Sequence, residues 1–543
     1  MLYFQRVGFL QGVSVGAAAL ILLPILAVVA SVFGATGDTW AHLARTMLGH
    51  YVVNTALLVA GVAIGVVSIG VLSAWLVTAY RFPGQRMLEW ALVLPLAMPA
   101  YVMAYAYTDW LQFTGPVQTA LRAATGWQAR EYWFPEIRSL GGAALLLSFV
   151  LYPYVYLLAR TAFLDVSRSA LEAGRLAGLS AWGSFRRVAL PIARPAIAAG
   201  TALALMETLA DFGTVSYFAL EVFTTGIFKA WMSMGDPVAA GQLSVCLLVF
   251  VALVIALERA SRGRAAYAAT LGKASRSQRL SGWPAALAFA ACALPVLVGF
   301  LLPAVLLLQL AWSDPGARGG ARLAALVSNS FILAGIAALA GVLLATAMAY
   351  AARLSRGRLV ALANRAASLG YAIPGAVIAV GVLVPLGRLD NWIAGGIESA
   401  FGVKPGLLLT GTIVALVYAY LVRFLAVALQ TVEAGLAKVT PRMDDAARSL
   451  GATPAATLAR VHAPLLASSL ASAALLLFVD VMKELPATFA LRPFNFDTLA
   501  IEAYNLAKDE RLSEAAVPSL VIVAIGLVPV LIVVKRYFQA TRS

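Results

Sequence analysis

Long apolar runs follow one another along the whole chain, and short polar segments separate them. A helix of about 20 mostly apolar residues crosses the roughly 30 Å hydrocarbon core of a bilayer. Twelve runs reach that length, so the pattern predicts an all-α membrane protein with about twelve transmembrane helices. The predicted spans are 12–33, 53–79, 88–108, 140–163, 191–219, 240–257, 284–311, 329–352, 360–386, 406–429, 464–490 and 515–534.

Composition supports this interpretation and excludes several classes of protein. The 543 residues are 62% hydrophobic and 12% charged, whereas soluble chains are about 25% charged. Cys246 and Cys292 lie inside apolar runs, and the three histidines are scattered along the chain. We therefore predict no disulfide framework and no stable metal site. The sequence offers no cluster of a nucleophile and a base that would indicate a catalytic site, and this argues against a membrane enzyme.

The distribution of basic residues predicts the orientation in the membrane. Lys and Arg are concentrated in the segments that face the cytoplasm if the N-terminus lies inside, as the positive-inside rule requires. Both termini are thus predicted to be cytoplasmic, and the run 12–33 is interpreted as a retained span, not a signal peptide. The net charge of +15 is then a topology signal, and it indicates contact with a lipid bilayer and no nucleic acid.

The chain divides into two similar halves of six spans, 1–257 and 283–543, joined by a basic cytoplasmic linker at 258–282. The block 172–191 aligns without gaps with the block 445–464, which lies 273 positions later. Two halves of one design and one orientation are parallel repeats, and in transporters the pathway lies where such repeats meet.

Each aligned block predicts a helical corner, within the loops 167–191 and 440–464. Gly178 and Gly451 stand where the first short helix of each corner must end. Glycine adopts a positive φ at such a position without steric cost. The sequence therefore predicts two equivalent docking surfaces on the same side of the membrane.

Hydroxyl and proline residues mark the helix starts in these corners. Pro191 and Pro464 close the blocks, and each is predicted to open the next span, since proline is favoured in the first turn of a helix. Hydroxyl side chains accept hydrogen bonds from the first free backbone N–H groups of a helix. The predicted N-cap residues are Ser167, Ser180, Thr440 and Thr453.

The corner pattern resembles the EAA loop of binding-protein-dependent ABC importer permeases. In that family the loop forms a coupling helix that sits in a cleft of a cytoplasmic ATPase. The sequence departs from the pattern at Gly174, Asp445 and Ala463. The residues that the resemblance assigns to ATPase coupling are Glu172, Ala173, Gly174, Gly178, Pro191, Asp445, Ala446, Ala447, Gly451 and Pro464.

The chain carries no phosphate-binding loop of the G-x-x-x-x-G-K-[ST] type, because TLGKAS at 270–275 lacks the first glycine. The resemblance therefore implies a separate ATPase, in two copies, that uses the ATP. No cofactor is expected on this chain.

Five ionisable residues fall inside predicted spans, where charged groups are costly and commonly functional. The acids of the two halves align at the offset of 273 and are four residues apart within each half, which places them on one helix face. Carboxylates suit hard cations, so a cation path is one interpretation. Structural pairing and placement at a wet span end are the alternatives. The residues are Glu207, Asp211, Asp480, Lys483 and Glu484.

The segments around these acids resemble the fused twelve-span permeases of ferric-iron importers. The residues that carry this resemblance are METLADFGTVSYF, FTTGIFKAW and DVMKELPATFALRPFNFDTLA. The resemblance implies Fe(III) as cargo, a periplasmic ferric-binding protein as partner and a bacterial inner-membrane location. Thiamine, sulfate, polyamine and phosphonate permeases are related alternatives. An ion-coupled secondary transporter that uses the acids as a proton relay is the rival class.

Two further groups of residues have an open interpretation. The tyrosines Tyr101, Tyr105, Tyr107, Tyr152, Tyr154 and Tyr156 offer phenolic oxygens to Fe(III), but such residues more often pack or anchor spans at the interface. The segments 109–138 and 492–514 are the longest external stretches, and they are interpreted as the dock of the binding protein.

Overall fold

The computed structural model describes residues 2–34, 38–129, 131–165, 178–262, 278–313, 320–355 and 357–540. In the first half of the sequence the helices are α1 (Leu2–Ala30), α2 (Asp38–Thr46), α3 (Leu48–Ala79), α4 (Gln85–Ala91), α5 (Ala100–Leu111), α6 (Pro116–Thr125), α7 (Leu140–Asp165), α8 (Ala181–Ser184), α9 (Leu190–Ala210), α10 (Gly213–Tyr217), α11 (Phe223–Phe228) and α12 (Pro237–Arg262).

The second half repeats this helical organisation. Its helices are α13 (Trp283–Val296), α14 (Leu302–Ser313), α15 (Ala321–Leu354), α16 (Arg358–Ala367), α17 (Gly375–Phe401), α18 (Ile413–Leu436), α19 (Pro441–Ser449), α20 (Pro454–Thr457), α21 (Ala463–Met482), α22 (Pro486–Leu491), α23 (Leu499–Lys508) and α24 (Leu512–Ala540). Short 3₁₀ turns lie at Ser31–Phe33, Leu94–Ala97 and Ser368–Ala372, and π turns at Phe185–Ala189, Lys229–Ser233, Leu297–Leu301 and Leu458–His462.

Two very short strands are the other regular elements among the described residues. Strand β1 (Tyr80–Arg81) pairs in parallel with β2 (Gln278–Arg279), and Leu280 donates a further backbone hydrogen bond to Arg81. The C-terminal end of the predicted linker is thereby tied to the end of α3.

Eleven helical segments of the described chain are long and apolar enough to cross a bilayer, and a bent pair brings the count to twelve. The prediction of an all-α membrane protein with about twelve spans is confirmed. The apolar side chains that cover these helices supply both the packed interior and the surface that faces lipid.

The predicted span 88–108 is bent, not straight. The segments Gln85–Ala97 and Ala100–Thr125 meet at 93°, and between them Pro99 is extended, with φ −61° and ψ 139°. Proline donates no backbone hydrogen bond and disfavours a helical conformation of the residue before it. Hydropathy does not register this break.

The same break occurs in the second half, where the predicted span 360–386 is wrong. Pro374 is extended, with φ −59° and ψ 141°, and the long helix is α17, which begins after it at Gly375. The preceding α16 is amphipathic, not uniformly apolar. The shared geometry at Pro99 and Pro374 agrees with their alignment in the sequence repeat.

Two other predicted spans, 191–219 and 464–490, end too late. The helices end at Ala210 and Met482, and a short helix follows each of them, α10 and α22. The aligned acids lie at these helix breaks.

One compact unit contains Met1–Ala41, Ile227–Val245 and Gly319–Glu502. Helices α15, α18 and α21 form its core, and α1 packs on α15, α16 and α17. The contact is close: Ser14 donates a hydrogen bond to Asn364 at 2.8 Å, and a Cβ on Gly381 would lie 2.4 Å from the carbonyl oxygen of Pro24.

The other compact unit contains His42–Gly226, Cys246–Arg318 and Ala503–Ser543. Helices α3, α7 and α9 form its core, and α14 packs on α5 and α24. Each unit therefore takes a helix from the start of the other half of the sequence. The predicted division into 1–257 and 283–543 follows the sequence repeat and stays a prediction. Each compact unit contains residues from both of these halves.

Candidate functional site

The second corner, residues 440–464, has the predicted helical shape. Helix α19 ends at Ser449, and Gly451 follows with φ 78°. Gly451 donates to the carbonyl of Arg448, and Ala452 donates to that of Ala447, each at 3.0 Å. This is a Schellman motif, which requires the left-handed conformation that glycine adopts most readily. The predicted positive φ is confirmed.

The first corner is described from residue 178 onward. Gly178 has φ 80°, as predicted. The coupling residues Glu172, Ala173 and Gly174, and the predicted N-cap Ser167, lie outside the described residues.

The predicted N-caps differ in what they bond. Ser180 accepts a hydrogen bond from Gly183 N–H at 3.1 Å, and Thr453 accepts one from Ala456 N–H at 3.3 Å. Thr440 occupies the N-cap position of α19 without a side-chain capping bond. Its hydroxyl was expected to cap this helix, and that expectation is wrong.

Pro191 and Pro464 lie in the first turn of the α-helices α9 and α21, as predicted. The continuous helical segments begin earlier, at Trp182 and Pro454. A π turn precedes each proline, at Phe185–Ala189 and Leu458–His462. The wider i to i+5 bonding of a π turn accommodates a residue that cannot join the α-helical bonding pattern.

The second corner presents a mixed apolar and charged surface. Leu450 is 87% exposed and Met443 is 42% exposed. Asp445 is also exposed and forms an ion pair with Arg448, while Ala447 is buried beneath them. Exposed apolar residues with a charged border are typical of a protein–protein contact.

Four residues that the sequence interpretation missed hold the second corner. Arg353 Nε donates to Asp444 Oδ2 at 2.8 Å, and His462 Nε2 lies 2.6 Å from Asp444 Oδ1. Tyr350 donates its hydroxyl hydrogen to the carbonyl of Pro454 at 2.9 Å. A buried histidine in so apolar a chain was the one signal available, since a buried imidazole requires polar partners.

Asp211 lies just after α9, so it does not share a helix face with Glu207. Its carboxylate accepts hydrogen bonds from the backbone N–H of Thr214 at 3.0 Å and of Val215 at 3.2 Å, and from the Thr214 hydroxyl at 3.1 Å. It therefore caps α10, whose first N–H groups have no partners within the helix.

Glu484 performs the same task in the second half. It accepts from the N–H groups of Ala487 and Thr488, each at 2.9 Å, and from the Thr488 hydroxyl at 2.7 Å. Arg423 Nη1 donates a further bond at 2.9 Å, and only 1% of the Glu484 side chain is exposed. Because both acids cap the helix three and four residues ahead, the structure supports the aligned offset of 273.

The remaining intramembrane charges are more exposed. Lys483 Nζ lies 2.9 Å from Asp480 Oδ1, with side-chain exposures of 36% and 20%. Glu207 is half-buried on α9. Of the five residues, only Glu484 is buried, and Glu207, Asp480 and Lys483 are the partly exposed ones that do not cap a helix.

The tyrosines mainly pack. Tyr107 and Tyr156 donate their hydroxyl hydrogens to the backbone carbonyls of Val298 and Glu89, at 2.7 and 2.6 Å. The ring of Tyr105 packs edge-to-face against that of Tyr217, with the ring centroids 4.7 Å apart. No group of three or more His, Cys, Asp and Glu side chains in the described part of the chain is arranged to hold a metal ion.

Several charged side chains of the external segments form ion pairs with other residues of the chain. Glu502 forms two hydrogen bonds with Arg322, at 2.7 and 2.9 Å, and Glu510 accepts one from Arg138 at 2.7 Å. Burial acts to lower the pKa of Arg138, but the hydrogen bond and charge of Glu510 outweigh that effect and raise it. The most exposed large apolar side chains of these segments are Trp133 and Phe494, at 86% and 95%.

Comparison with known proteins identifies the class. Residues 66–262 match the family of binding-protein-dependent transport system inner membrane components. Together with the duplicated corners and the twelve candidate spans, this match supports a membrane permease of the ABC importer class.

Three relatives are similar to the chain, two over nearly its full length and one over about a third of it. The Fe(3+)-transport system permease protein FbpB 2 of Haemophilus influenzae is 26% identical over 503 residues, 92% of each chain. A probable ABC transporter permease, y4fN, of Sinorhizobium fredii is 24% identical over 533 residues, covering 92% of this chain and 90% of its own. The sulfate transport system permease protein CysT of Escherichia coli is 28% identical over 194 residues, 35% of this chain and 67% of its own.

The matches support a fused two-domain permease of the binding-protein-dependent ABC importer type, in one multi-pass inner-membrane chain. The predicted resemblance is confirmed.

Proposed function

We propose that this permease carries Fe(III) from a periplasmic ferric-binding protein into the cytoplasm. The observation that carries the proposal is the likeness to a ferric-iron permease over 92% of both chains. The sulfate permeases match shorter stretches. Both termini and both corners face the cytoplasm in this proposal, which the distribution of Lys and Arg supports.

The energy comes from two copies of a separate ATPase that dock on the corners. The exposed Leu450 and Met443 and the neighbouring ion pair of Asp445 with Arg448 suit a cleft on that partner. Closure of the ATPase dimer on ATP draws the corners together and moves the spans, and the binding protein docks on the opposite face. The permease itself makes and breaks no covalent bond.

Roles differ among the intramembrane charges. Asp211 and Glu484 fix the helix breaks, since their carboxylate oxygens are occupied by capping bonds. Glu207, Asp480 and Lys483 keep accessible surface and remain the candidates for contact with cargo. Carboxylates are suitable transient ligands for a hard cation such as Fe(III).

Uptake in proteoliposomes tests the cargo. The vesicles hold the permease, its co-purifying ATPase and ferric-loaded binding protein, and uptake of radiolabelled Fe(III) is compared with that of radiolabelled sulfate. ATP-dependent iron uptake supports the proposal. Sulfate uptake without iron uptake retains the importer class and replaces the cargo, while uptake that needs a proton gradient and no ATPase indicates a secondary transporter.

A double variant tests the coupling role of the corners. Gly178→Pro with Gly451→Pro forces φ near −65° at two positions where it is 80° and 78°. We expect loss of ATP-driven uptake with membrane insertion retained. Unchanged uptake would show that the corners do not couple ATP to transport.

A further inference from the structure

The last turn of α15 carries two side chains that reach the second corner. Tyr350 and Arg353 are three residues apart, so they share one face of the helix. Tyr350 bonds the carbonyl of Pro454, and Arg353 bonds the carboxylate of Asp444. The two short helices of the corner are thus both fastened to the same helical turn.

Arg353 also bonds the end of a third helix. Its Nη1 donates to the carbonyl of Leu436 and its Nη2 to that of Val439, each at 2.8 Å. The last carbonyl groups of a helix lack partners within the helix, and a cation there also interacts favourably with the negative end of the helix dipole. One guanidinium therefore joins the ends of α15 and α18 to the start of α19.

His462 completes the arrangement from the π turn that precedes α21. Asp444 is paired with Arg353 and accepts only, so His462 Nε2 carries the hydrogen that is shared at 2.6 Å. The imidazole is fully buried, and its ring meets that of Tyr350 edge-on at 5.4 Å. Tyr350, Arg353, Asp444 and His462 are called the α15 clamp below.

In the sequence of the first half, the three positions that align with Tyr350, Arg353 and His462 carry other residue types. Trp75 and Thr78, 275 positions earlier, stand where Tyr350 and Arg353 stand in the second half, and Ala189 aligns with His462. The Thr78 hydroxyl donates to the carbonyl of Ala74 in its own helix, at 2.8 Å.

Among the described residues of the first half, aromatic rings pack around Trp75 and the part of the first corner that follows residue 178. The ring of Trp75 lies 5.4 Å from that of Phe163 and 5.0 Å from that of Phe185, and Trp182 stacks on Phe185 at 5.2 Å. Ring packing permits a range of orientations, whereas a forked guanidinium with three acceptors fixes both distance and angle.

We propose that the α15 clamp makes the second corner the rigid link between the ATPase and the spans, with Arg353 and His462 as positioning residues for coupling. This inference rests on the proposed docking of the corners on the ATPase, and it adds which side chains transmit the motion of the second corner to the spans.

Spin labelling tests the clamp without any partner. In a chain with Cys246→Ala and Cys292→Ala, a label is placed at Leu450→Cys or, as a control on the first corner, at the exposed Arg186→Cys. Arg353→Gln is expected to raise the mobility of the label at 450 and to leave the label at 186 unchanged. Unchanged mobility at 450 would overturn the clamp.

Transport measurements test the coupling. In proteoliposomes with the co-purifying ATPase and binding protein, Arg353→Gln is expected to lower the Fe(III) taken up per ATP hydrolysed by roughly tenfold. That change corresponds to the loss of about one charge-assisted hydrogen bond. Arg353→Lys keeps the charge without the fork and should recover part of the ratio. Trp75→Leu should keep the ratio within about twofold.

The outcomes separate this inference from the proposed function. A mobile label with an unchanged uptake ratio would overturn the positioning role. If Arg353→Gln fails to fold, His462→Gln, which alters the bond to Asp444 and the ring contact with Tyr350 but leaves Arg353 in place, is measured instead with the same expectation. Failure of the wild-type chain to bind any ATPase would instead overturn the proposed function.

Discussion

Glu484 allows a direct test of whether an intramembrane acid serves structure or transport. Its buried carboxylate accepts three capping bonds and one bond from Arg423, which is itself 8% exposed. Glu484→Gln keeps the shape but removes the charge and turns an N–H₂ group toward these donors. Leaving one member of a buried ion pair without its partner costs about 3–5 kcal/mol, and we expect that loss in the free energy of unfolding.

The assay is an SDS titration in mixed micelles, followed by tryptophan fluorescence. Asp480→Asn is the matched control, because its pair with Lys483 is partly exposed and such pairs contribute about 1 kcal/mol or less. In the double variant Arg423→Met with Glu484→Gln, no unpaired buried charge remains. Its loss should therefore be smaller than the sum of the single losses by at least about 1 kcal/mol.

Two results would refute this reasoning. A loss below about 1 kcal/mol for Glu484→Gln would show that the carboxylate is not structural. Exact additivity in the double variant would show that the two side chains do not act as a pair. Either result, with impaired Fe(III) uptake, would favour the alternative that Glu484 contacts cargo.

Three further predictions concern single positions. Gly375→Ala places a Cβ 2.4 Å from Arg423 Nη1 and 2.8 Å from Glu484 Oε1, so we expect the free energy of unfolding to fall by about 3 kcal/mol in the same titration. The control is Gly387→Ala, whose Cβ meets nothing within 4 Å and which should stabilise α17 by about 0.5–1 kcal/mol. Gly451→Ala meets no atoms but must keep φ 78°; the left-handed strain should cost about 1–2 kcal/mol, measured as a lower thermal midpoint with the helix content unchanged. Asp390 is 1% exposed and accepts hydrogen bonds from the backbone N–H groups of Leu408, Leu409 and Thr410. Asp390→Asn should speed hydrogen exchange at those three amides by about tenfold or more, as expected from the loss of one such bond. Unchanged exchange would contradict the capping role.

The apolar pattern was sufficient for the fold class and for most spans. It failed where a run stays apolar while its backbone changes direction. Pro374 ends one helical path and starts another inside the predicted span 360–386, and hydropathy averages across such a break. Proline and its preceding residue were the local signal.

The intramembrane acids show a second reason why the sequence-based prediction of helices failed. A spacing of four places Glu207 and Asp211 on one face only if the helix continues through both. The helix ends at Ala210 because Asp211 caps the next one. The sequence DFGTV contains a suitable cap, but an apolar run on both sides favours the continuous helix.

Long-range contacts were beyond the sequence. The glycine corners were predicted because their geometry is local, and the positive φ of Gly178 and Gly451 confirmed them. The bond between Arg353 and Asp444 spans 91 positions, and no pattern within either segment specifies the other. The coupling role assigned to these corners stays a prediction.

The packing of α1 has a consequence for how the chain is made. Helix α1 ends at residue 30, but its partner α16 begins at residue 358. At 5–20 residues per second, synthesis of the intervening chain takes roughly 16–65 s. Throughout that time Ser14 of α1 is without its hydrogen-bond partner Asn364. Membrane insertion and completion of the fold are therefore separate events, and a chain truncated before residue 321 leaves an inserted first helix without α15, α16 and α17, exposed to membrane proteases.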